Sequence, residues 1–214
     1  MKWKAVVLLA GATSIMGSTS ALACDLYFNS VFLSQPAGPL AIGAGAQIQT
    51  GSPSTTIFSG DVSIKLGPKA VLRPGLGLCH QGGGVGFQSS NTLTFGSGLG
   101  VRLWNSSNGG VAINGQTGFA YASSDGASSL TFPIGAAAEF KASDQAFVFV
   151  GAALQFSRFS YTGGSQTESD PVLYGGVTVK LKRADLTAGL SLRNGDPDAA
   201  TAINVGIRVP VGKA

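Results

Sequence analysis

From residue 38 onward, hydrophobic and polar positions alternate with a period of two, and helical periodicity is nearly absent. Leu93, Phe95, Leu99, Val101 and Leu103 share one face of a segment whose other face is Thr94, Gly96, Gly98, Gly100 and Arg102. Leu173, Val177, Val179 and Leu181 oppose Tyr174, Gly176, Thr178 and Lys180. Leu186, Ala188, Leu190 and Leu192 oppose Thr187, Gly189, Ser191 and Arg193, and Ile203, Val205, Ile207, Val209 and Val211 oppose Asn204, Gly206 and Arg208. The same pattern runs near 38–50, 55–66, 70–81, 110–123, 129–141 and 145–161. It predicts about ten strands, with eight as the alternative, many of them longer than the usual five or six residues. The breaks between them are rich in Gly, Pro, Asn, Asp and Ser, as in Gly67-Pro68-Lys69, Gly82 to Asn91, Asn105 to Gly109, Thr162 to Pro171 and Asn194 to Ala199. From the second break onward, short breaks (after 66, 141 and 181) tend to alternate with long ones (after 81, 161 and 193).

Alternation alone suits a soluble β-sandwich as well as a membrane barrel. Three features favour the barrel. The strands are long enough to cross a bilayer, which takes about 9 to 11 tilted residues. Their polar face is Gly, Ser, Thr, Asn and Gln rather than Lys and Glu, and glycine makes room where side chains converge inside a small barrel. Phe58, Phe119, Tyr121, Phe132, Phe140 and Phe156 sit near strand ends on the apolar face, where outer-membrane barrels carry aromatic girdles, although ordinary core packing accounts for any one of them. Composition agrees: charged residues are 11% of the chain and glycines number 32 of 214. That is too apolar for a disordered chain and too glycine-rich for a helical bundle. No apolar run reaches the roughly 18 residues of a membrane helix, and a net charge of +4 without a basic cluster argues against a nucleic-acid partner.

Residues 1–23 read as a secretory signal: Lys2 and Lys4, an apolar stretch over Ala5 to Ala12, then Ala21-Leu22-Ala23 at the cleavage site. Losing them leaves 12 basic and 10 acidic residues, a mature net charge of +2. Cleavage places Cys24 at the new N-terminus, with Cys79 as the other cysteine. Export favours a Cys24–Cys79 disulfide. Lipidation of Cys24 is the competing reading, against which Ala21 stands where a lipoprotein signal usually carries Leu.

The chain resembles the small outer-membrane β-barrel proteins of Gram-negative bacteria over residues 38–214 plus the signal. The resemblance rests on architecture rather than on a motif. It implies a porin-like, closed, antiparallel, up-and-down barrel in the cell outer membrane, bounded by phospholipid and lipopolysaccharide. Such barrels commonly end in an aromatic residue, whereas this chain ends Val209-Pro210-Val211-Gly212-Lys213-Ala214.

Ten strands with both ends in the periplasm put long loops outside and short turns inside. The outer loops then hold Asp125, Glu168, Asp170, Asp196 and Asp198. The inner mouth and turns hold ten of the 12 mature basic residues, with only Glu139, Asp144 and Asp185 as acids. By phase Lys65, Arg73, Arg102, Lys141, Lys180, Lys182 and Arg208 point inward, with Glu139 and Asp61 as candidate partners. Like charges so close need water, anions or acids among them, so an open pore would favour anions. A salt-bridged plug without traffic is the alternative.

No catalytic site or cofactor is expected. His80, the single histidine, points toward lipid, and Cys79 projects to the opposite face. Ser89 and Ser90 could approach His80, with Asp125 or Asp170 as an acid, but no triad context supports a lipid-modifying enzyme. Asp196-Pro197-Asp198 could meet a divalent ion, yet two acids supply few of the six or more oxygens calcium needs, so no metal site is assigned. Residues 24–37 form a separate segment, either a lumen plug tethered by Cys24–Cys79, an anchor, or an exterior strap. Pro74 and Pro133 each remove a strand donor, marking either bulges or a lateral opening for apolar solutes. The expected role is a narrow channel or carrier for small solutes, or a structural surface protein, and a monomer. Adhesion through residues 82–91 and 162–171 is the second class.

Overall fold

The computed structural model describes residues 38–50, 54–82, 90–124, 126–193 and 201–211. The signal, Cys24, the 24–37 segment, Ser89, Asp125, Asp196, Asp198 and Lys213 lie outside the described residues. Ten strands follow in order: β1 (Leu40–Gln49), β2 (Thr55–Lys65), β3 (Ala70–Gln81), β4 (Ser90–Asn105), β5 (Val111–Ser124), β6 (Ala127–Lys141), β7 (Ala146–Tyr161), β8 (Gly164–Lys180), β9 (Asp185–Arg193) and β10 (Thr201–Val211). Each pairs antiparallel with its sequence neighbours, and β1 pairs with β10 over ten residues, from Leu40↔Val211 to Gln49↔Ala202. The sheet is therefore a closed up-and-down barrel with no free edge.

Burial follows the sequence alternation. On β3 the inward residues Val71, Arg73, Gly77, Cys79 and Gln81 are buried, while Pro74, Leu76, Leu78 and His80 are exposed. Large exposed side chains wrap the barrel, among them Phe58, Leu76, Leu93, Ile134, Val150, Leu190 and Val205. No soluble sandwich exposes such a belt, because each such side chain would forgo about 1.5–3 kcal/mol of burial in water. In lipid the belt is the solvated face. Phe95, Phe119 and Tyr121 form part of it, with Phe95 edge-on to Phe119 at 6.5 Å between centroids.

Three expectations are corrected. Residues 162–171 are not a loop: β7 and β8 form one long hairpin whose turn is Thr162-Gly163, with Gly163 at φ 105°. Glycine fits that left-handed position without strain. At 16 and 17 residues these strands extend roughly 50 Å, well beyond a bilayer crossing. Glu168 and Asp170 thus belong to β8. The simple alternation of short and long connections fails too, because β7–β8 at the far end is joined by two residues whereas the opposite end has turns of four and five. The prolines, finally, form no bulges. Pairing skips positions 62–63 opposite 73–74, and 118–119 opposite 132–133, and resumes in the same register. The one register shift between described strands β4 and β5 lies at Arg102/Trp104.

Candidate functional site: the charged lumen

The barrel interior is built from glycine and aromatic side chains that exchange places across strands. Phe149 on β7 pairs with Gly176 on β8, and Tyr174 on β8 pairs with Gly151 on β7. A Cβ at Gly151 would come 2.4 Å from Tyr174 Cζ, and one at Gly176 would come 2.7 Å from Phe149 Cζ. Each ring therefore lies on the bare backbone of the neighbouring strand. With Ala137 and Ala153 the two rings form a buried cluster on the lumen side of β6, β7 and β8. Gln116 Nε2 donates to the Tyr174 hydroxyl at 2.6 Å, and that hydroxyl donates to the Ala136 carbonyl at 3.2 Å. A phenol in an apolar cluster needs such partners.

Toward the end bearing the turns 66–69, 106–110, 142–145 and 181–184, ionised groups replace the rings. Arg208 and Asp61 meet across β1, which separates their strands. Both pair with Gly43, and Arg208 Nη2 lies 3.5 Å from Asp61 Oδ1. The contact passes over Gly43, where a Cβ would lie 2.3 Å from Asp61 Oδ2. Ser63 also donates to Asp61 at 3.2 Å. Arg102 Nη2 binds Glu139 Oε2 at 3.1 Å, and Asn114 Nδ2 reaches the same oxygen at 3.4 Å. Arg73, only 1% exposed, interacts electrostatically with Arg208, Asp61 and Glu139. Lys180 lies 4.5 Å over the Phe147 ring and pairs across the ladder with Asp185. A cavity of about 20 Å³, lined by Ser59, Asp61, Thr187 and Arg208 among others, has room for roughly one water.

Six residues of the sequence-derived cluster (Lys65, Arg73, Arg102, Lys141, Lys180 and Arg208) stand on lumen-facing strand positions at this end. Lys182 does not. It lies exposed in the β8–β9 turn, where strand phase no longer applies. Lys141 leans out to Asp144 at 2.7 Å. In the exposed β6–β7 turn, the hydrogen bond from Lys141 and then its charge hold the Asp144 carboxyl below the ordinary aspartate range.

Sequence reasoning missed three features. The Phe149–Gly176 and Tyr174–Gly151 exchange was signalled only by an aromatic on a polar face. The Lys180–Asp185 pairing follows from the tight turn between them. At the other end, Arg193 Nε donates to Asp170 Oδ2 at 2.8 Å, with a second contact through Nη2, a pairing hidden from the sequence because the stretch around Asp170 lacks apolar alternation. Cys79 is fully buried on the lumen face toward that end, beside Ile57 and Ala122. His80 faces outward, its Nδ1 2.9 Å from Asn91 Oδ1. Among the described residues no group of three His, Cys, Asp or Glu side chains could hold a metal.

No protein-family model matches the sequence, and no curated protein matches it either. Among solved structures, the translocator domain of the autotransporter NalP from Neisseria meningitidis is similar at TM-score 0.51 and 12% identity, over 97% of this chain and 98% of that one. The beta domain of the Bordetella autotransporter BrkA gives TM-score 0.48 at 12% identity, over 81% and 99%. The N-terminal β-barrel domain of Pseudomonas aeruginosa OprF gives 0.35 at 11%, over 79% and 96%. At such identities the likeness is one of architecture alone: the fold of this chain is that of the outer-membrane β-barrels.

Proposed function

We propose that this protein resides in the outer membrane as a passive barrel. Its lumen is closed at mid-height by side chains and opens at the short-turn end as a basic periplasmic mouth that draws in small anions. The carrying observation is the pair of interior layers. Phe149 and Tyr174 are buried on the lumen side of β7 and β8. Lys65, Arg73, Arg102, Lys141, Lys180 and Arg208 stand on lumen-facing positions toward the short turns with Asp61, Glu139 and Asp185, and Lys141 reaches Asp144 in its turn, which still leaves positive charge in excess. The first residue of β1, Leu40, and the last of β10, Val211, lie at this mouth, which suits a periplasmic orientation. Planar-bilayer conductance across a salt gradient tests the reading. The wild type is expected to be silent or to open rarely, and Phe149→Ala/Tyr174→Ala to conduct with anion preference. Steady wild-type conductance would overturn the closed lumen, and cation preference would overturn the basic mouth.

A second reading, adhesion, is favoured by the β7–β8 hairpin. Among the described residues, positions 164–171 pair with β7 alone, since β9 meets β8 from Val172 onward. Deleting residues 162–169 with retention of membrane insertion but loss of cell or surface binding would support it. We favour a non-enzymatic role: His80 points to lipid while Ser90 occupies the lumen-facing phase, and Asp170 is engaged by Arg193. Cys79, buried on the lumen face, suits a Cys24–Cys79 disulfide that holds the 24–37 segment inside the barrel. A diacylglycerol mass on Cys24 would refute that tether.

A further inference from the structure

On the lipid-facing wall, β8, β9, β10 and β1 carry a shallow groove of about 530 Å³. Its cause is local. Two cross-strand rows face lipid here, Val177–Ala188–Val205–Ala46 and Val179–Leu186–Ile207–Ala44. Alanines alternate with valines in the first row and Ala44 ends the second, so Ala44, Ala46 and Ala188 leave hollows beside branched neighbours. Beneath them Gly45 pairs with Gly206 and adds no side chain to the wall. The next row toward the far end is bulky, with Leu190, Ile203 and Ile48 about half exposed. The row toward the turns is bulky as well, with Leu181, Val209 and Ile42 about half exposed, so the groove is a hollow bounded along the strands at both ends, with the β8–β9 turn just beyond one of them. That turn is Leu181-Lys182-Arg183-Ala184, with two exposed cations and no acid. Lys182 and Arg183 stand about three residues beyond Val179, roughly 10 Å along the strand, and belong to no described ion pair.

We propose that this groove is a binding site for an anionic glycerophospholipid of the adjacent leaflet, its acyl chain in the alanine-floored hollow and its phosphate against Lys182 and Arg183. Two observations bear on it together: an apolar hollow in the lipid-facing wall, and two exposed cations without a described ion pair in the turn just beyond it. Packing against the hollow fills contacts that a smooth wall would already make. Each basic residue near an anionic headgroup strengthens binding about fivefold. The site rests on the barrel facing lipid but not on any channel activity.

The test is native mass spectrometry of the full chain, extracted from vesicles of phosphatidylcholine with or without phosphatidylglycerol, insertion being checked first by heat-modifiable gel mobility. We expect one phosphatidylglycerol to be retained in preference to phosphatidylcholine. Lys182→Gln/Arg183→Gln should insert normally and lower that preference roughly 30-fold. Ala46→Leu/Ala188→Leu should insert and lose retention of both lipids, because it fills the hollow. Equal retention of the two lipids, or retention unchanged in both variants, would overturn the site alone. A dimer abolished by Ala46→Leu/Ala188→Leu would overturn it by assigning the face to a second copy. Failure of the wild type to insert would overturn the lipid-facing reading and the site together.

Discussion

Replacing Gly151 by Ala tests the aromatic–glycine exchange on the lumen wall. An ideal Cβ there lies 2.4 Å from Tyr174 Cζ, 2.5 Å from its hydroxyl and 2.6 Å from the Ala136 carbonyl oxygen. The ring can swing away, but the carbonyl belongs to the β6–β7 ladder and cannot. Swinging the ring gives up its bonds to Gln116 and Ala136, at about 1 kcal/mol each. The residual overlap with the Ala136 carbonyl costs a further 1–3 kcal/mol or so. The expected loss is therefore about 3–5 kcal/mol. In a Tyr174→Ala background only the carbonyl part survives, so the two substitutions should couple by roughly 2 kcal/mol. Urea unfolding in phosphatidylcholine vesicles, followed by fluorescence of the lipid-facing Trp104, measures both quantities. A Gly151→Ala loss below about 0.5 kcal/mol, or full additivity with Tyr174→Ala, would show that the ring does not rest on this glycine.

Other outcomes follow from the charged layer. Asp61→Ala leaves the Arg208 guanidinium, whose side chain is 5% exposed, without its nearest carboxylate. The barrel should lose about 3–5 kcal/mol, and Asp61→Leu/Arg208→Met should recover most of it in the same urea assay. Glu139→Gln removes the charged acceptor of Arg102 and Asn114. It should cost about 1.5–3 kcal/mol, and the lost acid should strengthen anion preference in any conducting variant. The Asp144 carboxyl, depressed by Lys141, stabilises the folded state above the ordinary aspartate range, and that contribution is lost as pH falls through its folded midpoint. Lys141→Met should move the midpoint back up, as read from the carboxyl carbon shift by NMR, and an unmoved midpoint would refute the pairing.

The stretch from Gly164 to Pro171 shows where local reading stops. Its Gly, Ser, Thr, Asp and Pro content lacks the apolar alternation of Leu173 to Leu181, and it reads as a loop. It is strand because β7 offers a complete row of backbone partners, from Leu154↔Pro171 to Tyr161↔Gly164. Above a membrane no lipid demands an apolar face, so that signal is missing. Lys182 failed for a related reason: alternation assigns a face only while the backbone stays extended, and the chain turns at 181–184. Tyr174 was legible as an aromatic on a polar face. That it lies on Gly151 was not, since nothing local says which glycine stands opposite.

What the sequence determined by itself is what depends on neighbours along the chain. Period-two alternation assigns lipid and lumen faces, glycine occupies the crowded face, and the positions of turns sort charges toward one end. What only the tertiary structure decided depends on register between strands. Asp61 and Arg208 lie far apart in sequence and meet because β1 closes the barrel between them and presents Gly43, a residue with no side chain to block the contact. The groove arises likewise, from Ala44 and Ala46 on β1 and Ala188 on β9, brought together with β10 between them. A shift of a single residue would flip these side chains to the other face. Faces are a property of each strand, whereas contacts belong to the closed barrel.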